Sequence, residues 1–232
     1  MERKIAMVSG ASQGMGQSIS IELAKNGFDL SICSRKTEDL EKLKEKILSI
    51  SPQTKVFYFS ADLSIRSKSL EWCQKTMDNF ESVDLLINNL GQYKTGSLLD
   101  SDSEILEDLM KVNFYPAYYL SREIGQYMKT REKGHIILIN SIGGKGPVPG
   151  AGDYSITKFA LNGLSQNLRN ELAPYKVKVT SLFPGSTLTQ SWEGQKVNPS
   201  EFILPEDIGK LVVQVYNLSQ GANVEEIEIR PV

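Results

Sequence analysis

Seven short apolar runs alternate with longer stretches of helical periodicity along the chain. Continuous runs rich in valine, isoleucine and leucine are typical of strands that are buried on both faces of a parallel sheet. Because each connection between parallel strands must cross over the sheet, the alternation predicts an α/β, doubly wound fold: a seven-stranded parallel sheet with helices on both faces. The predicted strands are Lys4–Ser9, Asp29–Cys33, Lys55–Ser60, Asp84–Asn88, His135–Asn140, Lys178–Phe183 and Glu225–Arg230.

Signals at helix ends support this arrangement. Asn26-Gly27 predicts a helix stop, since glycine readily takes the left-handed conformation found there. Residues 101–104 (Ser-Asp-Ser-Glu) match a capping box at the start of a long helical stretch, Ser103–Thr130. A second long helix is predicted over Tyr154–Ala173. Residues 205–207 (Pro-Glu-Asp) predict a first helical turn, where proline and acidic residues are favoured.

Composition limits the function classes. With 232 residues and no low-complexity linker, we expect one domain over residues 1–232. A net charge of -2 and a pI near 5.6 argue against nucleic-acid or anionic-membrane partners, which need a basic surface. No apolar run of the sequence is long enough to span a bilayer, and the few residues before the first strand are not expected to form a signal peptide. Two cysteines, Cys33 and Cys73, make no disulfide scaffold, and no residue cluster suggests a metal site. We therefore expect a cytoplasmic protein.

The segments that leave the carboxyl ends of the strands carry the candidate site, because ligands of such sheets bind there. The first is a glycine-rich loop between a strand and a helix, where glycines let the backbone approach a pyrophosphate. A purely structural turn is the alternative. The candidate cofactor-binding residues of this loop are Gly10, Ser12, Gln13, Gly14, Met15 and Gly16.

The segment after the second strand bears on the choice of cofactor. Ser34-Arg35 offers a hydroxyl and a guanidinium where an NAD site usually has an acidic residue, which favours the 2′-phosphate of NADP. The alternative is that Arg35 is a solvated charge. Asp62-Leu63 follows the third strand, and Asp62 either contacts an adenine edge or caps a helix that begins near Ser64. Asn89 and Gly91 follow the fourth strand, in a tight turn or in the floor of a cofactor cleft.

Tyr154 and Lys158 form the most informative pair. They lie one helical turn apart on the same helix face, so the ammonium group is predicted to stabilise the phenolate and to lower the pKa of Tyr154 toward the range of acid–base catalysis. Ser141 ends the fifth strand and is predicted to face the phenol and to hold a substrate oxygen. The sole histidine, His135, is predicted to lie at the surface of the opposite sheet edge, which excludes a histidine-dependent triad.

Together these residues resemble the single-domain branch of the short-chain dehydrogenase/reductase family, which has a Rossmann fold. The resemblance runs from Lys4 to Pro231. It assigns the catalytic roles to Asn113, Ser141, Tyr154 and Lys158, with Asn113 holding a water of a proton relay. It adds Pro184, Gly185, Thr187 and Thr189 to the cofactor-binding residues. Leu90 departs from the alanine of the family's Asn-Asn-Ala-Gly turn, and its bulk is expected to crowd the adenosine side.

The resemblance implies reversible, NADP(H)-dependent reduction of a small-molecule carbonyl group to an alcohol, in a homodimer or homotetramer. A short segment at about 185–204 is expected to cover the substrate, with Trp192 either as an aromatic lid or packed against the domain. The candidate substrate-binding residues are Ser141, Ile142, Tyr154 and Trp192, and by position also Gln92, Tyr93 and Val148. The C-terminal part resembles bacterial sepiapterin reductase-like and 3-hydroxy acid dehydrogenase-like members. The alternatives are a 3-oxoacyl-acyl-carrier-protein reductase-like ketoreductase and a catalytically silent dinucleotide-binding sensor.

Overall fold

The computed structural model describes residues 3–100, 102, 104–192, 194 and 196–232. Seven strands form its centre, and each predicted strand end lies within one residue of the observed one. The strands are β1 (Lys4–Ser9), β2 (Phe28–Ser34), β3 (Val56–Ser60), β4 (Leu85–Asn88), β5 (Gly134–Ile139), β6 (Val177–Pro184) and β7 (Glu226–Ile229). Their order in the sheet is β3-β2-β1-β4-β5-β6-β7, and all neighbours are parallel.

Helices pack on both faces of this sheet, which confirms the predicted doubly wound architecture. They are α1 (Gly14–Lys25), α2 (Thr37–Ile50), α3 (Arg66–Asn79), α4 (Glu104–Asn113), α5 (Tyr115–Arg131), α6 (Gly152–Leu172) and α7 (Pro205–Tyr216). Apolar side chains of α1, α2 and α7 fill the core on one face, and those of α3, α5 and α6 fill the core on the other. Within the described ranges, no helix has the length and apolar character needed to cross a membrane.

The strands are apolar throughout because both of their faces are covered. Successive side chains of a strand point to opposite faces of the sheet. In β1, Ala6 and Val8 join the core under α1, α2 and α7, whereas Met7 joins the core under α3, α5 and α6. All three are fully buried. A strand in this position has no solvent face, so its sequence shows a continuous apolar run and no alternation.

The strand order reverses at β1, which has β2 on one side and β4 on the other. At such a switch point the loops after neighbouring strands diverge to opposite faces and leave a crevice beyond the carboxyl ends of the strands. The segments after Ser9 and Asn88 flank this crevice. The sequence motifs that end β1 and β4 are therefore brought together by the topology.

The helix predicted over Ser103–Thr130 is two helices. The chain breaks at Phe114, between α4 and α5, because Pro116 has no amide hydrogen to continue the helical hydrogen bonding and sits in the first turn of α5. Of the predicted capping box, residues 101 and 103 lie outside the described residues. The carboxylate of Asp102 accepts a hydrogen bond from the Glu104 amide over 3.2 Å.

The prediction that His135 lies at the surface is wrong. Its side chain is only 2% exposed, beneath Tyr216 of α7, with the two ring centroids 6.2 Å apart. Nε2 of His135 lies 2.8 Å from Oγ1 of Thr180 on β6. Burial, and secondarily the charge of Lys178, lowers the pKa of His135 to about 3. The amino-terminal edge of β5 is therefore covered by α7, which sequence spacing alone did not reveal.

Candidate active site

The glycine-rich loop between β1 and α1 is shaped for a close approach of backbone to a ligand. Gly10 and Gly14 have positive φ angles of 60° and 54°, which favour glycine. A Cβ on Gly16 would lie 2.2 Å from the carbonyl oxygen of Gly10, so no larger residue fits there. The side chain of Gln13 makes no capping bond to the first turn of α1. The first amides of α1 thus remain available to an anionic group, as a dinucleotide diphosphate requires.

Hydrogen bonds of Asn89 connect the glycine-rich loop to the end of β4. Nδ2 of Asn89 donates to the carbonyl oxygens of Ser9 and Gly10 over 3.1 and 3.0 Å. In return, Oγ of Ser9 accepts hydrogen bonds from the amides of Asn89 and Leu90. Asn89 therefore shapes the cofactor cradle through the backbone. Leu90, which was expected to crowd the adenosine side, is partly buried and packs against the core under α3, α5 and α6.

Gly91 lies next to two of the candidate catalytic residues, Lys158 and Asn113, and has no side chain that would contact them. A Cβ built on it would lie 3.5 Å from Nζ of Lys158 and 3.7 Å from Oδ1 of Asn113. Asn113 is buried, and its carboxamide accepts from the amide of Gln92 over 2.7 Å. Both of its amide hydrogens are used, by the carbonyl of Gln92 and by Oγ1 of Thr157. One lone pair of Oδ1 remains for a further hydrogen bond, as a relay water would need. The bonds present connect the loop after β4 to α6.

Ser141 and Tyr154 lie near each other, at the end of β5 and the start of α6. Ser141 begins a short 3-10 helix after β5, and its Oγ accepts from the amide of Gly143 over 3.1 Å. Tyr154 lies in the first turn of α6, and the Ser141 hydroxyl lies close enough to its phenol to lower the pKa of that phenol. The ring of Tyr93 packs against that of Tyr154 edge to face at a centroid distance of 4.9 Å. The phenol is thus held between a hydroxyl and an aromatic wall.

Lys158 is almost completely buried, with 4% of its surface exposed. Its Nζ lies 5.8 Å from the centre of the Tyr154 ring and within 3.3 Å of the carbonyl oxygen of Ile139, to which it donates. A longer contact of 3.5 Å joins it to the carbonyl oxygen of Asn140. Burial lowers the pKa of Lys158 to about 8, since the charged form loses its hydration.

The acidity of Tyr154 differs from the sequence prediction. Burial raises the pKa of its phenol above the ordinary value, and Tyr93 raises it further, while the hydrogen bond from Ser141 lowers it. The structure shows no lowering by Lys158, in contrast to the predicted effect of one helical turn of separation. The reason is that the sequence gives the spacing of the two side chains and not their burial, and desolvation outweighs the other effects here.

The residues that end or follow β2 and β3 lie at the carboxyl ends of these strands, on the β2 side of the switch point. Arg35 is exposed, and its guanidinium forms no ion pair within the described part of the chain. Ser34 is half-buried beside it. Asp62 does not cap α3, which begins at Arg66; its carboxylate accepts instead from the amide of Ser64, two residues on. Leu63 is buried in the core, so only its backbone can face a cofactor.

The segment after β6 rests on the glycine-rich loop. A Cβ on Gly14 would lie 3.2 Å from Cγ2 of Thr189. Oγ1 of Thr187 donates to the carbonyl oxygen of Gly185, and Pro184 is buried. These residues therefore set the direction in which the chain leaves β6. Their place beside the loop fits the predicted contact with the cofactor.

Trp192 is packed within this segment. Its indole Nε1 donates to the carbonyl oxygen of Thr187 over 3.0 Å, and its ring packs edge to face on Phe202 at 4.9 Å. It borders a cavity of about 380 Å³ together with Gly14, Gln17 and Glu206, and Tyr154 does not line that cavity. Both of these contacts of Trp192 are to residues of the segment itself, so a lid and packing against the domain remain the two alternatives for Trp192.

Two contributors were missed at the sequence level. Oγ1 of Thr157 accepts a hydrogen bond from Nδ2 of Asn113. The sequence did not indicate this role, because a threonine inside a helix carries no distinguishing signal. Oδ1 of Asn140 accepts from the Ser141 amide over 3.0 Å, and its Nδ2 donates to the carbonyl oxygen of Lys158. Its position beside Ser141 at a strand end is a signal that could have found it.

Comparison with known proteins agrees with this geometry. The family model described as short chain dehydrogenase matches residues 4–199. An uncharacterized oxidoreductase of Staphylococcus epidermidis is 28% identical over 100% of this chain and 99% of its own. The farnesol dehydrogenase of Aedes aegypti is 31% identical over 99% of this chain and 96% of its own.

Solved structures give the same result. An alcohol dehydrogenase from the archaeon Thermococcus sibiricus, complexed with 5-hydroxy-NADP, superposes with a TM-score of 0.93 at 26% identity, covering 100% of this chain and 97% of that one. The serine dehydrogenase of Escherichia coli has a TM-score of 0.84 at 26% identity, covering 98% of this chain and 97% of that one. The Rossmann architecture is thus shared with dehydrogenases of known structure, one of them complexed with 5-hydroxy-NADP.

Proposed function

The chain belongs to the short-chain dehydrogenase family of oxidoreductases, and from that membership we propose that it reduces a small-molecule carbonyl group to an alcohol, reversibly, with NADP(H). The observation that carries the proposal is the cluster of Ser141, Tyr154 and Lys158 at the mouth of the glycine-rich crevice. A nicotinamide dinucleotide, when bound, supplies the hydride.

The proton chemistry is assigned to Tyr154. Its phenol gives a proton to the oxygen of the carbonyl as that oxygen gains negative charge, and takes it back in the reverse direction. Because burial raises the pKa of Tyr154, the phenol is protonated at neutral pH and ready to donate. The Ser141 hydroxyl orients the same oxygen. Lys158 keeps a positive charge beside the site at neutral pH, since its pKa of about 8 lies above that range.

Cofactor binding is assigned to three parts of the chain. The loop of Gly10, Gly14 and Gly16 receives the diphosphate, and the exposed guanidinium of Arg35 receives the 2′-phosphate. Lys158 holds the ribose next to the nicotinamide through its buried ammonium. NADP-bound relatives of the same fold support the choice of NADP, as does the lack of an acidic residue beside Arg35.

We further propose a homodimer or homotetramer and a cytoplasmic location. Helices α5 and α6 each present aromatic or aliphatic side chains to solvent: Tyr115 and Tyr118 on α5, and Ile156 and Phe159 on α6 are all at least 36% exposed. A second copy of the chain would cover this surface. Residues 185–204 are proposed to cover the substrate, and the serine dehydrogenase relative favours a small hydroxy acid or its oxo form as the substrate.

Purified protein mixed with NADPH and a panel of carbonyl compounds, including 3-oxo acids and acyl-carrier-protein thioesters, tests the proposal. Loss of NADPH absorbance that depends on one of these compounds supports it. Turnover of the thioesters alone identifies the ketoreductase alternative. Binding of NADPH without turnover on any compound contradicts the proposal and identifies the catalytically silent sensor.

A further inference from the structure

We infer that the chain has a second ligand site, for inorganic phosphate, at the amino-terminal edge of the sheet. A cavity of about 160 Å³ lies there, which we call the basal cavity. It is lined by Lys4, Asp84, Lys133, His135, Lys176 and Lys178, among others. His135 is near the start of β5 and Ser141 follows its end, so about 20 Å of strand separates this cavity from the candidate active site.

The hydrogen bonds of Thr180 fix the tautomer of His135. Oγ1 of Thr180 donates its single hydrogen to the carbonyl oxygen of Val224, at 2.6 Å. In its 2.8 Å contact with Nε2 of His135, the same Oγ1 must therefore act as the acceptor. The proton of the imidazole is thus on Nε2, and Nδ1 carries a lone pair.

That lone pair is buried without a donor. Nδ1 of His135 has no hydrogen-bond partner among the described residues, although the side chain is only 2% exposed. A buried acceptor left unpaired is destabilising, so the site favours a ligand that brings a hydrogen-bond donor. The imidazole is neutral at physiological pH, so Nδ1 does not become a hydrogen-bond donor by taking up a proton.

The charge around the cavity selects an anion. Four lysines and one aspartate line it, which gives an excess of positive charge. The ammonium of Lys178 donates to the carbonyl oxygens of Leu218 and Ser219, which holds it close to His135. Asp84 lies 3.4 Å from Nζ of Lys133, and Glu132 lies 3.2 Å from Nζ of Lys176. Among the described residues, Lys4 and Lys178 are thus the lining lysines without a carboxylate partner. The ligand must therefore combine negative charge with a hydrogen-bond donor.

Size and protonation narrow the choice to hydrogen phosphate. A cavity of about 160 Å³ has room for a small tetrahedral oxyanion. Near neutral pH inorganic phosphate keeps a P–OH group, which can donate to Nδ1 while its oxygens accept from the lysines. Sulfate has the same shape and charge but no proton. A phosphate monoester has lost its second proton above about pH 6 and also lacks the donor.

The sole histidine makes the site directly observable. The full chain, labelled with 15N histidine and saturated with NADPH to block the glycine-rich loop and Arg35, is titrated at pH 8 and constant ionic strength. Phosphate is expected to shift the Nδ1 resonance saturably, whereas sulfate and methyl phosphate shift it at least tenfold less at equal concentration. An unmoved resonance, or equal shifts with sulfate, would overturn the proposal.

Substitutions separate the two parts of the recognition. His135→Phe keeps an aromatic ring beside Tyr216 but removes the Nδ1 acceptor, and calorimetry is expected to show the preference for phosphate over sulfate falling to about one. Lys178→Met is expected to weaken both anions about tenfold, a loss of about 1.4 kcal/mol. Lys75→Met, an exposed lysine on α3, is the control and leaves binding unchanged. If Lys178→Met does not fold, Lys4→Met takes its place, and unchanged phosphate affinity in it contradicts the site.

Discussion

Nζ of Lys158 lies 5.8 Å from the centre of the Tyr154 ring and donates to the carbonyl oxygen of Ile139 at the end of β5. The ammonium is thus held by the sheet rather than by the phenol. It reaches the crevice because Gly91 has no side chain: a Cβ there would lie 3.5 Å from Nζ. The arrangement places a buried positive charge where the glycine-rich loop, Asn113 and Tyr154 converge.

This buried charge lowers the stability of the cofactor-free protein. The pKa of Lys158 falls from 10.5 to about 8 on folding, so the folded chain binds fewer protons than the unfolded chain between those pH values. Stability from this group therefore rises with pH across that window. We expect Lys158→Met to raise the free energy of unfolding by up to about 3 kcal/mol at pH 7, with the gain shrinking toward pH 10.5. Urea unfolding at several pH values measures this, and a gain that does not depend on pH contradicts it.

Gly16→Ala is expected to damage the cofactor cradle. The new methyl would lie 2.2 Å from the carbonyl oxygen of Gly10 and 2.5 Å from Nδ2 of Asn89, so the loop must move. We expect NADPH affinity to fall at least tenfold, as measured by fluorescence titration. Gly163→Ala is the matched control, because nothing lies within 4 Å of the Cβ position at Gly163 in α6. That change should leave affinity intact and add about 0.5–1 kcal/mol of stability. Equal NADPH affinity in the Gly16→Ala and Gly163→Ala variants would contradict the role of the glycine-rich loop in cofactor binding.

Arg35→Ala tests the choice of cofactor. Removing the exposed guanidinium deletes a charge-assisted contact to the 2′-phosphate, which is worth roughly 1.5–3 kcal/mol. We expect the dissociation constant of NADPH to rise about tenfold or more while that of NADH stays within twofold. Lys42→Ala, an exposed charge on α2, serves as the control and should change neither. If NADPH and NADH weaken equally, Arg35 does not read the 2′-phosphate.

The sheet could be predicted from the sequence because strands that are buried on both faces have recognisable sequences. Each is a continuous apolar run, so β1 was predicted at Lys4–Ser9 as observed. The break at Phe114 was missed, although Pro116 two residues later signals it. The periodicity of α4 and α5 continues across that break and hides it.

Two errors at the sites have one physical cause. His135 is buried by Tyr216, which lies far away in sequence, and the raised pKa of Tyr154 reflects its desolvation in the folded chain. Burial depends on which distant segments pack together, which a spacing argument does not contain. The grouping of the candidate catalytic residues could nevertheless be proposed from the sequence, because Ser141 follows a strand end and Tyr154 and Lys158 lie one helical turn apart.

Steady-state turnover of Tyr154→Phe, with its NADPH affinity measured alongside, tests the assignment of the proton donor most directly. The substitution removes the hydroxyl and keeps the ring that packs on Tyr93. We predict NADPH affinity within about twofold of the unaltered protein and turnover lower by a factor on the order of 10²–10⁴, the usual contribution of a general acid. Turnover within a few-fold of the unaltered protein, at unchanged NADPH affinity, would contradict the role of Tyr154.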